Sequence, residues 1–141
     1  MRDAPTSPEV RFPCKVYYED TDCMGVVYHA NYLKYFERGR TEFLAAQGTS
    51  VQQYATQGLM FVVYRVDVTF RAPARLGDVL EVVSRARLTS PFRVTFDQRV
   101  EREGQLLVKA EVELVCIDKD GGLKPIPDIG IVPATPTPQA P

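Results

Sequence analysis

The chain has 141 residues, 45% of them hydrophobic and 25% charged, with a net charge of −1 and a pI of about 5.8. That balance suits one globular domain with a real core and leaves a nucleic-acid binder without its basic footprint. It also offers no apolar run of membrane-spanning length, so the exclusions are electrostatic and hydropathic together.

Residues 1–9 are polar, contain Pro5 and Pro8, and read as a loose arm before a single domain spanning residues 10–130. A strand is expected over 10–19, with Phe12, Cys14 and Val16 alternating against Arg11 and Lys15, and Pro13 placing it at a sheet edge. After an acidic turn, a helix runs from Ala30 or Asn31 to Gln47 and stops at Gly48. Tyr32, Phe36, Gly39 and Phe43 share one face, widened by Leu33 and Leu44. Gly39 lowers helix stability and makes sense only where the helix presses closely on a sheet. Ser50 caps a second short helix over 51–57, ended by Gly58.

The period then changes from 3.6 to 2, giving strands over 60–72, 78–89, 92–102 and 105–117, with a hairpin turn at Glu103-Gly104. In the last of these, Leu106, Val108, Ala110, Val112, Leu114 and Cys116 form the inward set. A short segment follows near Leu123, and residues 131–141 form a Pro-rich tail that reads as disordered or extended. One strand, a long helix and then four or more antiparallel strands make an α+β plan, with a curved sheet wrapped about the helix.

The N-terminus lacks the apolar core of a secretory signal. Cys14, Cys23 and Cys116 are odd in number and lack C-x-x-C spacing, which suits reduced thiols in a cytoplasm. One histidine and no cysteine cluster argue against a metal site, and no P-loop or dinucleotide fingerprint calls for an organic cofactor.

Chemistry concentrates between Tyr17 and Phe43, where Asp20, Asp22 and Gly25 form the turn and His29 sits at the helix start. A carboxylate and an imidazole beside free helix-terminal N–H groups are the parts needed to attack a carbonyl and hold the resulting oxyanion. Aspartate also favours turns for local hydrogen bonding, and a lone histidine often satisfies a buried backbone group. Composition and spacing leave both readings open.

The run D-T-D-x-x-G-V-V-Y-H-A-N-Y-L-x-x-F-E-x-x-R-T-E resembles the signature of hotdog-fold acyl-CoA thioesterases, in the branch related to 4-hydroxybenzoyl-CoA thioesterase and associated with the Tol–Pal cluster. The similarity extends from about Val16 to about Pro127, through A-P-A-R-L-G-D and A-E-V-E-L-V-C-I-D. The resemblance implies a hotdog fold, a homodimer or homotetramer with active sites between subunits, and acyl-CoA or an acyl-carrier protein as substrate. It makes Asp22 the nucleophile or general base. It puts the His29 backbone N–H on the thioester oxygen, with the imidazole in a secondary role. Gly25, Tyr28, Asn31 and Arg75 are the expected substrate-binding residues.

Four rivals stand beside that reading. Cys23 supplies a thiol nucleophile next to Asp22. Glu37, which spacing pairs with Arg40 on the helix, is a reserve carboxylate. An enoyl-thioester hydratase or a non-catalytic acyl-thioester-binding scaffold would keep the fold and change the chemistry.

Overall fold

The computed structural model describes residues 6–131, so the first five residues of the expected arm and residues 132–141 of the expected tail lie outside it. Six strands form one antiparallel sheet: β1 (Val10–Lys15), β2 (Met60–Phe70), β3 (Val79–Ser90), β4 (Arg93–Arg102), β5 (Gln105–Ile117) and β6 (Leu123–Lys124). Their order is β1-β3-β4-β5-β2, with β6 added beside β5. Helix α1 (Asn31–Ala46) lies on the inner face and α2 (Val51–Thr56) follows it. This is the α+β plan with one long helix, in the curled sheet of the hotdog fold. No helix among the described residues is long and apolar enough to cross a membrane.

Tyr32, Tyr35, Phe36, Gly39, Phe43 and Leu44 form the buried stripe of α1. Leu33, expected to widen the stripe, is 47% exposed at the start of the helix, whereas Leu44, at nearly the same helix angle, is buried, and Tyr35 widens the stripe on its other side. Gly39 marks the closest approach of helix to sheet. A Cβ there would stand 2.6 Å from Val82 Cγ1 and 3.0 Å from both Gln98 Nε2 and Ser84 Oγ. Beneath it the Gln98 amide donates to Ser84 Oγ and to the Phe36 carbonyl, satisfying polar groups that would otherwise be buried unpaired.

The strand expected over 10–19 is shorter. It leaves the ladder after Lys15 and turns through a 3₁₀ turn at Tyr18–Asp20. The expected loose arm is also shorter, because Ser7 N–H donates to the Ala86 carbonyl and Ser7 Oγ accepts from Ala86 N–H. Glu103 and Gly104 have φ of 50° and 80°, the doubly left-handed pair that closes a two-residue hairpin between Arg102 and Gln105. A bulge follows at once: Val100 pairs Val108 but Glu101 pairs Leu106, leaving Leu107 as the extra residue. Leu107 and Val108 are therefore both fully buried, whereas Leu106, expected inward, is only half-buried. The Leu107 carbonyl accepts from both Arg71 and Ala72 N–H, tying β5 to the end of β2.

The helix packs on β1, β3 and β4 and leaves β2 overhanging. Met60, Val62, Val63, Tyr64, Val66 and Phe70 are each 39–51% exposed on that strand. The other edge strand, β1, holds Pro13, as expected for a residue that cannot donate to a ladder.

Candidate active site

The acidic turn is a small closed loop. Thr21 bridges Val27, Asp22 N–H donates to the Val26 carbonyl at 2.9 Å, and Gly25, at φ 77°, returns its N–H to the Asp22 carbonyl. The positive φ is what glycine supplies without strain, so the sequence role of Gly25 is in the turn itself. A second turn buttresses the first: Val26 bridges Arg75, and Val27 N–H donates to the Ala74 carbonyl. Asp78 holds that second turn, accepting from Arg75 N–H at 2.8 Å and from the Arg102 guanidinium at 2.7 Å.

Asp22 is half-buried, with Oδ1 accepting from Met24 N–H at 2.8 Å and no partner for Oδ2 among the described residues. His29 stands two residues before α1, its ring 4.5 Å from the Tyr28 ring and 6.4 Å from the Phe70 ring. The N–H groups of Tyr28, Asn31, Tyr32 and Leu33 all have backbone acceptors, at Asp20, Tyr28, His29 and Ala30. Those of His29 and Ala30 have none among the described residues, which makes them free donors at the head of the helix.

Asp22 and His29 meet on one groove of about 370 Å³, walled by Val26, Val27, Tyr32, Phe70, Arg71, Ala72 and Pro73. Of the residues expected to bind substrate, Gly25 shapes the loop without lining this groove. Tyr28 is exposed beside His29, and Asn31 turns its amide inward to the Asp20 carbonyl at 2.8 Å. Arg75 contributes its backbone to the buttress and leaves its side chain exposed. Cys23 is exposed and off the groove. Sequence reasoning missed Phe70, Arg71 and Pro73, which arrive from the far end of β2; Pro73, breaking the strand pattern, was the one local signal of a turn there. It also assigned Tyr32 only to the core, whereas its ring walls the groove while its hydroxyl accepts from Ala74 N–H at 3.1 Å. Burial raises the Tyr32 phenol above its usual pKa, which keeps it neutral.

A second cavity, of about 460 Å³, opens farther along α1 between α2 and the inner face of β2. Its walls are mostly apolar, with Leu44, Val51, Phe61, Val63 and Phe96 facing Glu37 and Arg40. Glu37 and Arg40 do not form the ion pair expected from their spacing. Arg40 instead donates to Gln98 Oε1 at 3.1 Å, drawn inward by the neutral amide beneath Gly39.

Comparison with known proteins places the chain in a family. Residues 16–133 match the family model of the thioesterase-like superfamily. The acyl-CoA thioester hydrolase YbgC of Escherichia coli is 45% identical over 109 residues, covering 77% of this chain and 81% of that protein. The acyl-CoA thioesterase YbgC of Haemophilus influenzae is 41% identical over 116 residues, covering 82% and 85%. Among solved structures, a probable thioesterase from Bartonella henselae superposes with a TM-score of 0.81 at 35% identity, covering 85% of this chain and all of that one. The chain is a member of the thioesterase-like superfamily, with the hotdog fold.

Proposed function

We propose that this enzyme hydrolyses acyl-CoA thioesters at the groove lined by Asp22 and His29, with the free His29 amide as the oxyanion donor. The observation that carries the reading is that pairing: a residue with an unpartnered carboxylate oxygen and a residue with an unpartnered backbone N–H before the helix both line one groove. The thioester carbonyl seats its oxygen on the His29 N–H. Asp22 either attacks the carbon, giving a mixed anhydride that water then opens, or removes a proton from an attacking water. In both routes the C–S bond breaks and coenzyme A leaves as a thiolate, helped by a thiol pKa of about 8.5. No strong general acid is needed, and the imidazole acts by orienting substrate or water. In a single turnover in ¹⁸O-water, an unlabelled first product with the label left in Asp22 marks an anhydride opened by water at the Asp22 carboxyl carbon, a result the general-base route cannot give.

The same reading makes the working unit a homodimer joined along β2, with further pairing into a homotetramer left to measurement. An open strand of eleven residues with apolar side chains needs a partner. Antiparallel pairing of β2 with its copy about Val66 sets Arg65 opposite Asp67 of the second copy, twice over. It also brings the Phe70 end of one strand, which walls the Asp22 groove, toward the Val62–Val63 end of the other, which walls the large apolar cavity. The acyl group then lies in one protomer's cavity and the thioester on the other's Asp22. Three unpaired cysteines, one of them exposed, fit a reducing cytoplasm. A thiol-release screen over short, long and aromatic acyl-CoAs, with carrier-protein thioesters alongside, tests the assignment. Release of thiol from at least one class is expected. Binding without release across the panel would make the chain a thioester-binding scaffold, and water addition to an enoyl thioester without thiol release would make it a hydratase.

A further inference from the structure

Asp20, the first aspartate of D-T-D, is 7% exposed and closes the 3₁₀ turn. Its Oδ2 accepts from Tyr17 N–H at 2.9 Å. Its carbonyl accepts twice, from Tyr28 N–H at 2.9 Å and from Asn31 Nδ2 at 2.8 Å. Those two donors flank His29 in sequence, so one residue grips both sides of the proposed oxyanion donor. The loop carrying Asp22 begins at the next residue, Thr21. No cation pairs with the Asp20 carboxylate among the described residues, although burying a carboxylate is costly without compensation.

On the inner side stands Tyr35, fully buried, its hydroxyl without a hydrogen-bond partner. Burial first, and the Asp20 carboxylate next, push its phenol far above the usual range, so the hydroxyl keeps its proton beside that carboxylate. The Tyr17 N–H bond is what holds the buried carboxylate, and the residues that react hang from the turn it closes.

We propose that Asp20 is the positioning residue of the site, its carboxylate locking the 3₁₀ turn so that its carbonyl holds the His29 amide and the Asp22 loop in register. The inference rests on the thioesterase reading above for its kinetic consequence, and on the hydrogen-bond geometry alone for its structural one. Asp20→Ala removes the acceptor for Tyr17 N–H, and Asp20→Asn keeps an oxygen there. Asn31→Leu cuts the same clasp from the helix side and serves if Asp20→Ala fails to fold.

In the full chain, Asp20→Ala and Asn31→Leu are expected to lower kcat about ten- to a hundredfold with KM moved less than about twofold, because a small displacement of reacting groups is costly in rate. Asp20→Asn should recover most of the loss. Amide hydrogen exchange over residues 26–31 should quicken in the same two damaged variants and not in Asp20→Asn. Unchanged kcat per folded molecule with unchanged exchange would overturn the proposal. A loss confined to KM, or an Asp20→Asn as impaired as Asp20→Ala, would overturn it too. A wild-type protein that hydrolyses no acyl-CoA sinks the thioesterase reading instead, and the exchange comparison then decides by itself whether Asp20 holds the loop.

Discussion

Along β1 the sheet is sealed by Pro13 in the ladder, by the Ser7–Ala86 bonds, and by a run of charges in which Arg11 meets Glu9, Glu81 and Glu101. Along β2, paired to β5 on one side only among the described residues, it stops in the open, with apolar side chains exposed and a large cavity beneath. The same α1 explains both ends: Gly39 and its buried stripe lie against the β1-β3-β4 half, so the β2 half has sheet without helix. One edge is closed within the chain and the other is left open among the described residues. The Asp22 groove sits where the open edge ends, at Phe70, which is why half of its architecture belongs to the unfinished side.

Substitutions on the two sides should fail differently. The largest effect is expected at the groove, where Asp22→Asn keeps the melting profile and lowers kcat about 10³-fold or more, some 4 kcal/mol of barrier, in a steady-state thiol-release assay. Next, on the sealed half, Phe36→Ala empties a fully buried site and should cost about 3–5 kcal/mol of unfolding free energy by denaturant titration. On the open half, Val66→Lys should leave each protomer folded, convert dimer to monomer by sedimentation, and take activity with it. Smaller still is Glu101→Gln on the sealed edge. Its carboxyl is held below the usual range by the hydrogen bond from Arg99, so it stabilises the fold above pH 4.5 and loses that contribution as pH falls through the lowered value. The variant should melt slightly earlier than wild type at pH 7, and the gap should close as pH falls through the lowered value. Cys23→Ala, exposed and off the groove, should change kcat by less than about twofold; a dead Cys23→Ala beside an active Asp22→Asn would move the mechanism to the thiol.

Much of the sealed half was legible from sequence because local signals agree there. Pro13 gave an edge, Gly39 a close approach and Glu103-Gly104 a hairpin, and toward the open side Ser50 gave a capped helix. The bulge at Leu107 was not, since alternation offers both Leu106 and Leu107 as the inward residue and only the Arg71 and Ala72 bonds decide between them. At the site, Asp22 and His29 were visible as chemistry near a helix start. The roles of Asp20 and Asn31 were hidden because they act through one backbone carbonyl, which carries no side-chain signature. Phe70 was hidden because it arrives from about forty residues away, placed by strand pairing.

The account's central claim is that Asp22 of one protomer works with the cavity of the other, and a mixed dimer tests it most directly. Asp22→Asn removes the carboxylate, and Thr41→Trp fills the cavity wall of α1; each homodimer should be inactive. Refolded together in equal amounts, they should regain about a quarter of wild-type activity, because half the dimers are mixed and each of those has one intact site. No recovery in a mixture shown to contain mixed dimers would contradict the account and place the whole site within a single chain.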